Sequence, residues 1–255
     1  MSIPTGNLIA EYDFLNPACY SGSGTAIYDL VITGFGLNTD TTTAATYDSG
    51  QGTFSLAMGD PLGSPNPFIR SEIGNYVNTG IDDFTVNIWF NITSFSAKPP
   101  YSFLFLNGNR QGSYEGYGIS VLGASNNLSI GVPGIADIDT GYSPSTNTWY
   151  MASLVVDSSS NYNFYINASS VDTGSFNTPN ALTSNSQFAI GHPASTFNDE
   201  VYNGKSTYIS FYNAALGNTD IQNIYDETVT RFDLPPEPPY VGIAGGRQFS
   251  QGFNG

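Results

Sequence analysis

Proteins hold sugars with aromatic rings set beside planar polar side chains, and one stretch of this chain concentrates both kinds. Asn107, Asn109 and Arg110 are followed closely by Tyr114 and Tyr117. The rings offer flat apolar platforms with polar tips. The amides and the guanidinium offer forks of donors and acceptors at fixed angles. Tyr142 and Tyr202 are further candidates of the same kind. Three acidic stretches offer a different chemistry. Asp137-Ile138-Asp139 falls in a Gly/Pro-rich loop with both carboxylates on one side. Asn198-Asp199-Glu200 precedes the closing strand, and Asp82-Asp83 precedes an earlier one. Hard cations such as calcium take several oxygen ligands from such groups, although solvated loop acids are the plainer reading. Cys19 is the sole cysteine, which excludes an internal disulfide and a cysteine-based zinc site. It reads as a small buried hydrophobe. The sole histidine, His192, stands before Pro193 without a nucleophile motif beside it and reads as structural.

Composition narrows the functions open to such a site. The chain has 255 residues, of which 11% are charged and 40% hydrophobic. A soluble domain normally has about a quarter charged, so Asn, Ser, Thr, Gly and Tyr must build this surface. The formal net charge is −15, from 6 Lys+Arg and 21 Asp+Glu. Phosphate neutralisation needs Lys and Arg, so nucleic acid is excluded as a partner through a basic patch. Adhesion to anionic membranes is disfavoured for the same reason. No run of 18 apolar residues occurs, so no membrane insertion is expected. The opening Met1-Ser2-Ile3-Pro4 lacks a basic and an apolar region, so synthesis and folding in a cytoplasm are expected.

Strand signals dominate the elements that must position these residues. Phe84, Val86, Ile88 and Phe90 alternate with period two. Further short strands are expected at 101–106, 118–122, 128–132, 149–157, 162–167, 187–191 and 207–212, with a hairpin turn at Asn126-Asn127. Trp89 and Trp149 lie within strands and are expected to pack on the core or a sheet face. One short helix is expected on the edge of the sandwich. Thr219 and Gln222 are read as its capping box, and Ile221, Ile224 and Tyr225 share a face. The expected division is a sandwich over residues 1–230 and a Pro/Gly-rich tail over 231–255. The tail begins as a stiff extended Pro-rich segment and cannot form its own core. It is expected to dock or anchor through Tyr240, Arg247, Phe249 and Phe253.

Four segments together resemble a known family. They are 6–14, Asp83-Phe84-Thr85-Val86-Asn87-Ile88-Trp89-Phe90, the Trp149 strand at 147–157 with its successor at 162–167, and the closing stretch from Phe188 to Tyr225. In order and spacing they resemble the laminin-G-like members of the concanavalin A-like lectin/glucanase group. The resemblance implies an all-β jelly-roll sandwich of two curved antiparallel sheets with one short C-terminal helix. It also implies sugar binding and calcium. Glucanases on this fold carry Glu-x-Asp-x-x-Glu on one strand, placing a carboxylate pair about 5 Å apart for retaining hydrolysis. Here Glu11-Tyr12-Asp13-Phe14-Leu15-Asn16 supplies the first half only, so a non-enzyme is expected, with solvated acids on an edge strand. Asn16-Pro17, Tyr20-Ser21-Gly22-Ser23-Gly24-Thr25 and Tyr28-Asp29-Leu30 look like the opening of such modules in tailed-bacteriophage structural proteins. There Asp-Leu is commonly followed by Ser-Gly-Asn-Gly-Asn; here Val31-Ile32-Thr33-Gly34-Phe35 follows. The resulting expectation is a virion structural protein, a capsid decoration or a tail or fibre component. Its expected partners are other virion proteins, further copies of itself and host surface glycans. A secreted or cell-surface carbohydrate-binding protein is the alternative, and a glycoside hydrolase the disfavoured second.

Overall fold

Residues with apolar side chains at every second position become strands here because one sheet face must be buried. The computed structural model describes residues 2–32, 36–39, 45–56, 69–72, 74–79, 83–95, 101–110, 114–191 and 202–230. Among them the chain forms β1 (Leu8–Asp13), β2 (Ala26–Tyr28), β3 (Gly36–Thr39), β4 (Thr46–Asp48), β5 (Thr53–Leu56) and β6 (Ile69–Arg70). There follow β7 (Phe84–Ile92), β8 (Tyr101–Asn109), β9 (Glu115–Leu122), β10 (Leu128–Val132) and β11 (Ala136–Asp139). The last elements are β12 (Trp149–Val156), β13 (Asn161–Ile166), β14 (Ser169–Ser175), β15 (Gln187–Ile190), β16 (Gly204–Tyr212) and the helix α1 (Asn218–Val229). No helix among the described residues is long and apolar enough to cross a membrane.

Two antiparallel sheets stack as a jelly-roll-like sandwich, as expected. One runs β14-β13-β12-β7-β16-β5-β4, with β1 also paired to β16. The other runs β11-β10-β9-β8-β15-β6-β3-β2. Phe84, Val86, Ile88 and Phe90 all enter the core between them, as the alternation predicts. There Phe211 meets Phe188 and Phe105 edge-on, at 5.1 and 6.0 Å between ring centroids. Such T-shaped pairs add about 0.5–1.5 kcal/mol beyond the area they bury. Cys19 lies fully buried in the same core, where burial pushes its thiol up to about 12, so it packs as a hydrophobe.

The first sheet is buried on its outer face too. Trp89, Trp149, Met151, Tyr208 and Tyr212 form a second apolar cluster with Leu216, Ile221 and Ile224 of the C-terminal segment. Trp89 donates its Nε1–H to Thr228 Oγ1 at 2.8 Å and stacks on Tyr225. The helix therefore lies on the sheet face and not on its edge. It starts one residue before the expected cap. Gly217 is the N-cap, without a side-chain cap bond, and Thr219 lies inside the first turn. Tertiary contacts set that start. Thr85 Oγ1 accepts the Leu216 N–H at 3.0 Å, and Tyr165 donates to Asn218 Oδ1.

The acids of β1 are not solvated as expected. Asp13 is buried and accepts the Leu15 N–H, while Glu11 accepts the Tyr208 hydroxyl at 3.0 Å. Close by, Asp29 is 8% exposed. Its Oδ1 accepts the N–H groups of Glu11 and Val31, and its Oδ2 is buried with no hydrogen-bond partner. Burial raises its carboxyl above the usual range. Between the ordinary carboxylate pKa and the raised folded value, the folded state holds a proton that the unfolded chain releases. Stability from this group is present below the ordinary carboxylate pKa and is lost as pH rises through the raised folded value. Asp29→Asn keeps the oxygen acceptor and removes the charge. It is expected to raise Tm near pH 7 by about 2–4 °C, for a gain on the order of 1 kcal/mol. It should also flatten the gain that the parent chain shows on acidification to about pH 5. Thermal melts across that range check this, and identical profiles for both chains exclude Asp29 as the source.

Candidate functional site

The site grows from the end of the β8–β9 hairpin. There the two backbones approach so closely that glycine is required on both. A Cβ on Gly108 would sit 2.0 Å from the Glu115 carbonyl oxygen, and one on Gly116 (φ +76) would sit 2.0 Å from that of Asn107. Beyond the pinch stand Arg110 and Tyr114. Tyr114 holds a left-handed φ of +52, which a non-glycine residue keeps only when its surroundings enforce it. Asn180 does so, donating its amide to the Tyr114 carbonyl at 2.7 Å. The segment carrying Asn180 is itself anchored. Buried Glu115 accepts from the Thr183 N–H at 3.2 Å, from the Thr183 hydroxyl at 2.9 Å and from Ser186.

Strand alternation defines the floor. Ile119, Val121, Leu128 and Ile130 point into the core, so Gly118 and Ser120 of β9 and Ser129 and Gly131 of β10 lie on the outer face. A register shift between Phe103 and Phe105 lets Leu104 and Phe105 both serve the core while Phe103 and Leu106 stay outside. Tyr101 of β8 donates to Asp137 Oδ2 of β11 at 2.8 Å. Two strands lie between them, about 14 Å of flat sheet from β8 to β11. The contact therefore requires this sheet to curl with its outer face concave.

A cleft of about 330 Å³, counted to its open mouth, lies in that concavity. Phe103, Arg110, Tyr114, Gly131, Gly134 and Asp137 line it with Pro133. The Arg110 guanidinium sits 4.1 Å from the Tyr101 ring centroid and 5.3 Å from that of Phe103. Such cation–π contacts are worth about 0.5–2 kcal/mol and fix the plane of the fork. Gly134 leaves room for Tyr114, whose Cβ lies 2.7 Å from where a Gly134 Cβ would stand. The cleft thus presents an exposed phenol, an oriented guanidinium and a carboxylate, all held by the backbone or by each other.

Two of the five expected sugar contacts, Arg110 and Tyr114, meet in the cleft, and Asp137 joins them. Asn107 and Tyr117 do not. Both are buried on the core side of the same hairpin. Asn107 bridges the Val77 backbone, and Tyr117 stacks on Phe84 and donates to Thr79 at 2.8 Å. Asn109 braces the hairpin by donating to the Asn185 carbonyl. Tyr202 is likewise buried, with its hydroxyl on the Asn91 backbone, and Tyr142 packs partly buried against the core. Asp137 and Asp139 share a face, as expected, but on strand β11 and not in a loop. Asp139 accepts from Asn127 and from the Gly141 N–H, locking a turn. Asp83 accepts the Ser158 N–H. Among the described residues no group of three or more His, Cys, Asp or Glu is placed to hold a metal. His192, Asn198, Asp199, Glu200 and Asp82 lie outside the described residues, as do Tyr240, Arg247, Phe249 and Phe253.

Comparison with known proteins bears on this geometry. A family model described as the concanavalin A-like lectin/glucanases superfamily matches residues 70–222, more than half of the chain. No curated protein sequence gives a significant match. Among solved structures, Trypanosoma rangeli sialidase superposes with a TM-score of 0.62 at 15% identity, covering 89% of this chain and 34% of that one. The same enzyme in complex with sialic acid gives 0.65 at 14% identity over 90% of this chain. This chain thus spans about a third of the sialidase length. Domain 4 of AbnA, an extracellular arabinanase of Geobacillus stearothermophilus in complex with arabinotriose, gives 0.59 at 18% identity. That match covers 86% of this chain and 98% of that domain. At these identities the likeness is one of fold, and the fold alone does not show enzymatic activity.

Glu115 is the anchor through which the brace reaches Tyr114. Glu115→Ala leaves the Thr183 and Ser186 donors unmatched, at a cost of about 1–3 kcal/mol. The expected outcome in denaturant melts is a lower midpoint with an unchanged slope. Hydrogen exchange at the Gly116 amide, which donates to Asn180, should quicken in the variant. Unchanged exchange there would detach Glu115 from the placement of Tyr114.

Proposed function

The chain belongs to the concanavalin A-like lectin/glucanase superfamily, and on that premise we propose that it is a non-catalytic glycan-binding sandwich displayed on a bacteriophage virion. The cleft between Arg110, Tyr114 and Asp137 carries the glycan reading. A sugar ring needs one flat apolar surface and several fixed donors and acceptors around its hydroxyls. Tyr114 supplies the surface, and it is 47% exposed although its backbone is tied down. Arg110 donates in a plane set by Tyr101, and Asp137 accepts. The arabinanase domain that this fold matches over nearly all its length was solved with an oligosaccharide, which supports binding by such a domain on its own.

Binding without hydrolysis is the reading for two reasons. Asp137 is the one carboxylate lining the described cleft, whereas retaining hydrolysis needs a pair about 5 Å apart. Tyr101 also occupies its Oδ2. The virion setting rests on the opening residues that resemble phage modules and on an acidic, amide- and hydroxyl-rich composition suited to a particle surface. On this reading residues 231–255 dock on neighbouring copies or other virion proteins, and repetition turns weak sugar contacts into avidity.

A glycan array with the full chain, followed by titration calorimetry, tests the binding. Tyr114→Ala and Arg110→Ala are each expected to weaken binding by about tenfold or more, with Tm nearly unchanged for Tyr114→Ala. Reducing-sugar release from the bound glycan would overturn the non-catalytic reading. Native mass of the full chain against a chain ending at residue 230 tests the docking. An assembly that falls to monomers on truncation supports it, and monomers in both cases remove it.

A further inference from the structure

Two hydroxyls on the concave face have no partner. Ser120 and Ser129 are fully buried, and the Oγ of each makes no hydrogen bond. They face one another across β9 and β10, and Ser120 faces Phe103 across β8 and β9. Alternation aims all three side chains at the concave side, because Ile119, Val121, Leu128 and Ile130 take the core side. A buried hydroxyl without a partner is costly, and alanine at both positions would avoid that cost. Beside them Gly118 and Gly131 leave the floor without side chains. Leu106 reaches to 3.2 Å from where a Gly118 Cβ would stand, and the Phe103 ring to 3.5 Å from that of Gly131. Arg110 packs on Tyr101 and Phe103, and Tyr101 is fastened to Asp137 across two intervening strands. The aromatic pair, the guanidinium and the carboxylate thus form a strap over a floor of hydroxyls and glycine.

We propose that this floor is a second, closed subsite for a neutral sugar ring, covered by Phe103 and held shut by the Tyr101–Asp137 hydrogen bond. The subsite extends the open cleft and rests on the glycan-binding reading of it. Serine hydroxyls both donate and accept, which matches the hydroxyls of a sugar. Gly131 lets a flat ring approach the backbone once Phe103 rotates, and the rotated Phe103 offers its face to the ring's C–H side. Asp137 and Asp139, paired with Gly131 and Ser129 across β10 and β11, border the floor with carboxylates, so it suits a neutral ring and not an anionic one. Because the competent state is the opened one, apparent affinity is reduced by the fraction of molecules that are open.

The experiment uses the full chain and a panel of neutral tri- and tetrasaccharides that includes arabinotriose, read by calorimetry. Tyr101→Phe removes the strap's hydroxyl and keeps its ring, and it is expected to tighten binding by about threefold to tenfold. The double variant Ser120→Ala with Ser129→Ala is expected to weaken binding by about tenfold while Tm holds or rises, since no buried hydroxyl is left unpaired. A merely structural role for the serines predicts the same Tm change with affinity untouched. Ser120→Val, which fills the floor, should abolish the gain from Tyr101→Phe. Binding by Tyr101→Phe alone, with none by the parent chain, also supports the strap. If Tyr114→Ala weakens binding but the serine and Tyr101 variants do not, the open cleft stands and the closed subsite is overturned. If neither the parent chain nor Tyr101→Phe binds any member of the panel, both readings fall.

Discussion

The backbones of β8 and β9 meet at Gly108 and Gly116 with no room for a side chain on either, and the geometry of the site depends on that pinch. It brings the Glu115 carboxylate inward, where Thr183 and Ser186 capture it. That capture holds the segment whose Asn180 fixes the left-handed Tyr114. Gly118 continues the close approach one step along the hairpin, where a Cβ would lie 2.4 Å from the Phe105 carbonyl oxygen. A hairpin drawn this tight twists strongly, and strong twist is what lets a sheet curl. The Tyr101–Asp137 bond across two intervening strands is a consequence of the same curvature.

The two sheets divide the work. The first is covered on its outer face by α1, with Trp89 bonded to Thr228 and stacked on Tyr225. That arrangement buries every residue of β7 and β12, so no side chain of either strand is left to meet a ligand. The second sheet has no helix among the described residues on its outer face. Its concavity is lined by its own side chains, and it is there that Tyr114 remains exposed. A packed helix on one side and a curled, glycine-floored face on the other make the open side a property of the fold and not of a single motif.

The sequence made the first sheet legible because period two and complete burial coincide in it. Phe84, Val86, Ile88 and Phe90 share one consistent face, and the buried Trp149 strand is an apolar run broken by Ser153 alone. The phase of α1 was equally plain, whereas its start was not, because Thr85 and Tyr165 set it from distant strands. At the site, residue chemistry singled out Arg110 and Tyr114. It also drew in Asn107 and Tyr117, because nothing local tells how far β8 and β9 extend and which parity faces the core. The bulge at Phe103–Phe105 moves that parity by one residue. Asp137 was visible as an acid, but only the curl of the sheet carries it to Tyr101. Asn180 and Gly134 had no signal at all. Their roles come from contacts with residues far away along the chain or with a backbone conformation that sequence does not display.

Charge gives the cleft a bias that its shape alone would not. The chain carries −15 overall and only 6 cationic side chains, one of which, Arg110, lines the cleft. Asp137 stands opposite it, so the local field is close to balanced while the surrounding field is strongly negative. At physiological salt that field decays over about 8 Å, so it acts mainly on groups already near the surface. An acidic sugar approaching the cleft meets repulsion from the protein as a whole and from Asp137 in particular. A neutral sugar meets neither. Under the proposed glycan binding, the balance of Arg110 against Asp137, set in an acidic surround, favours uncharged rings.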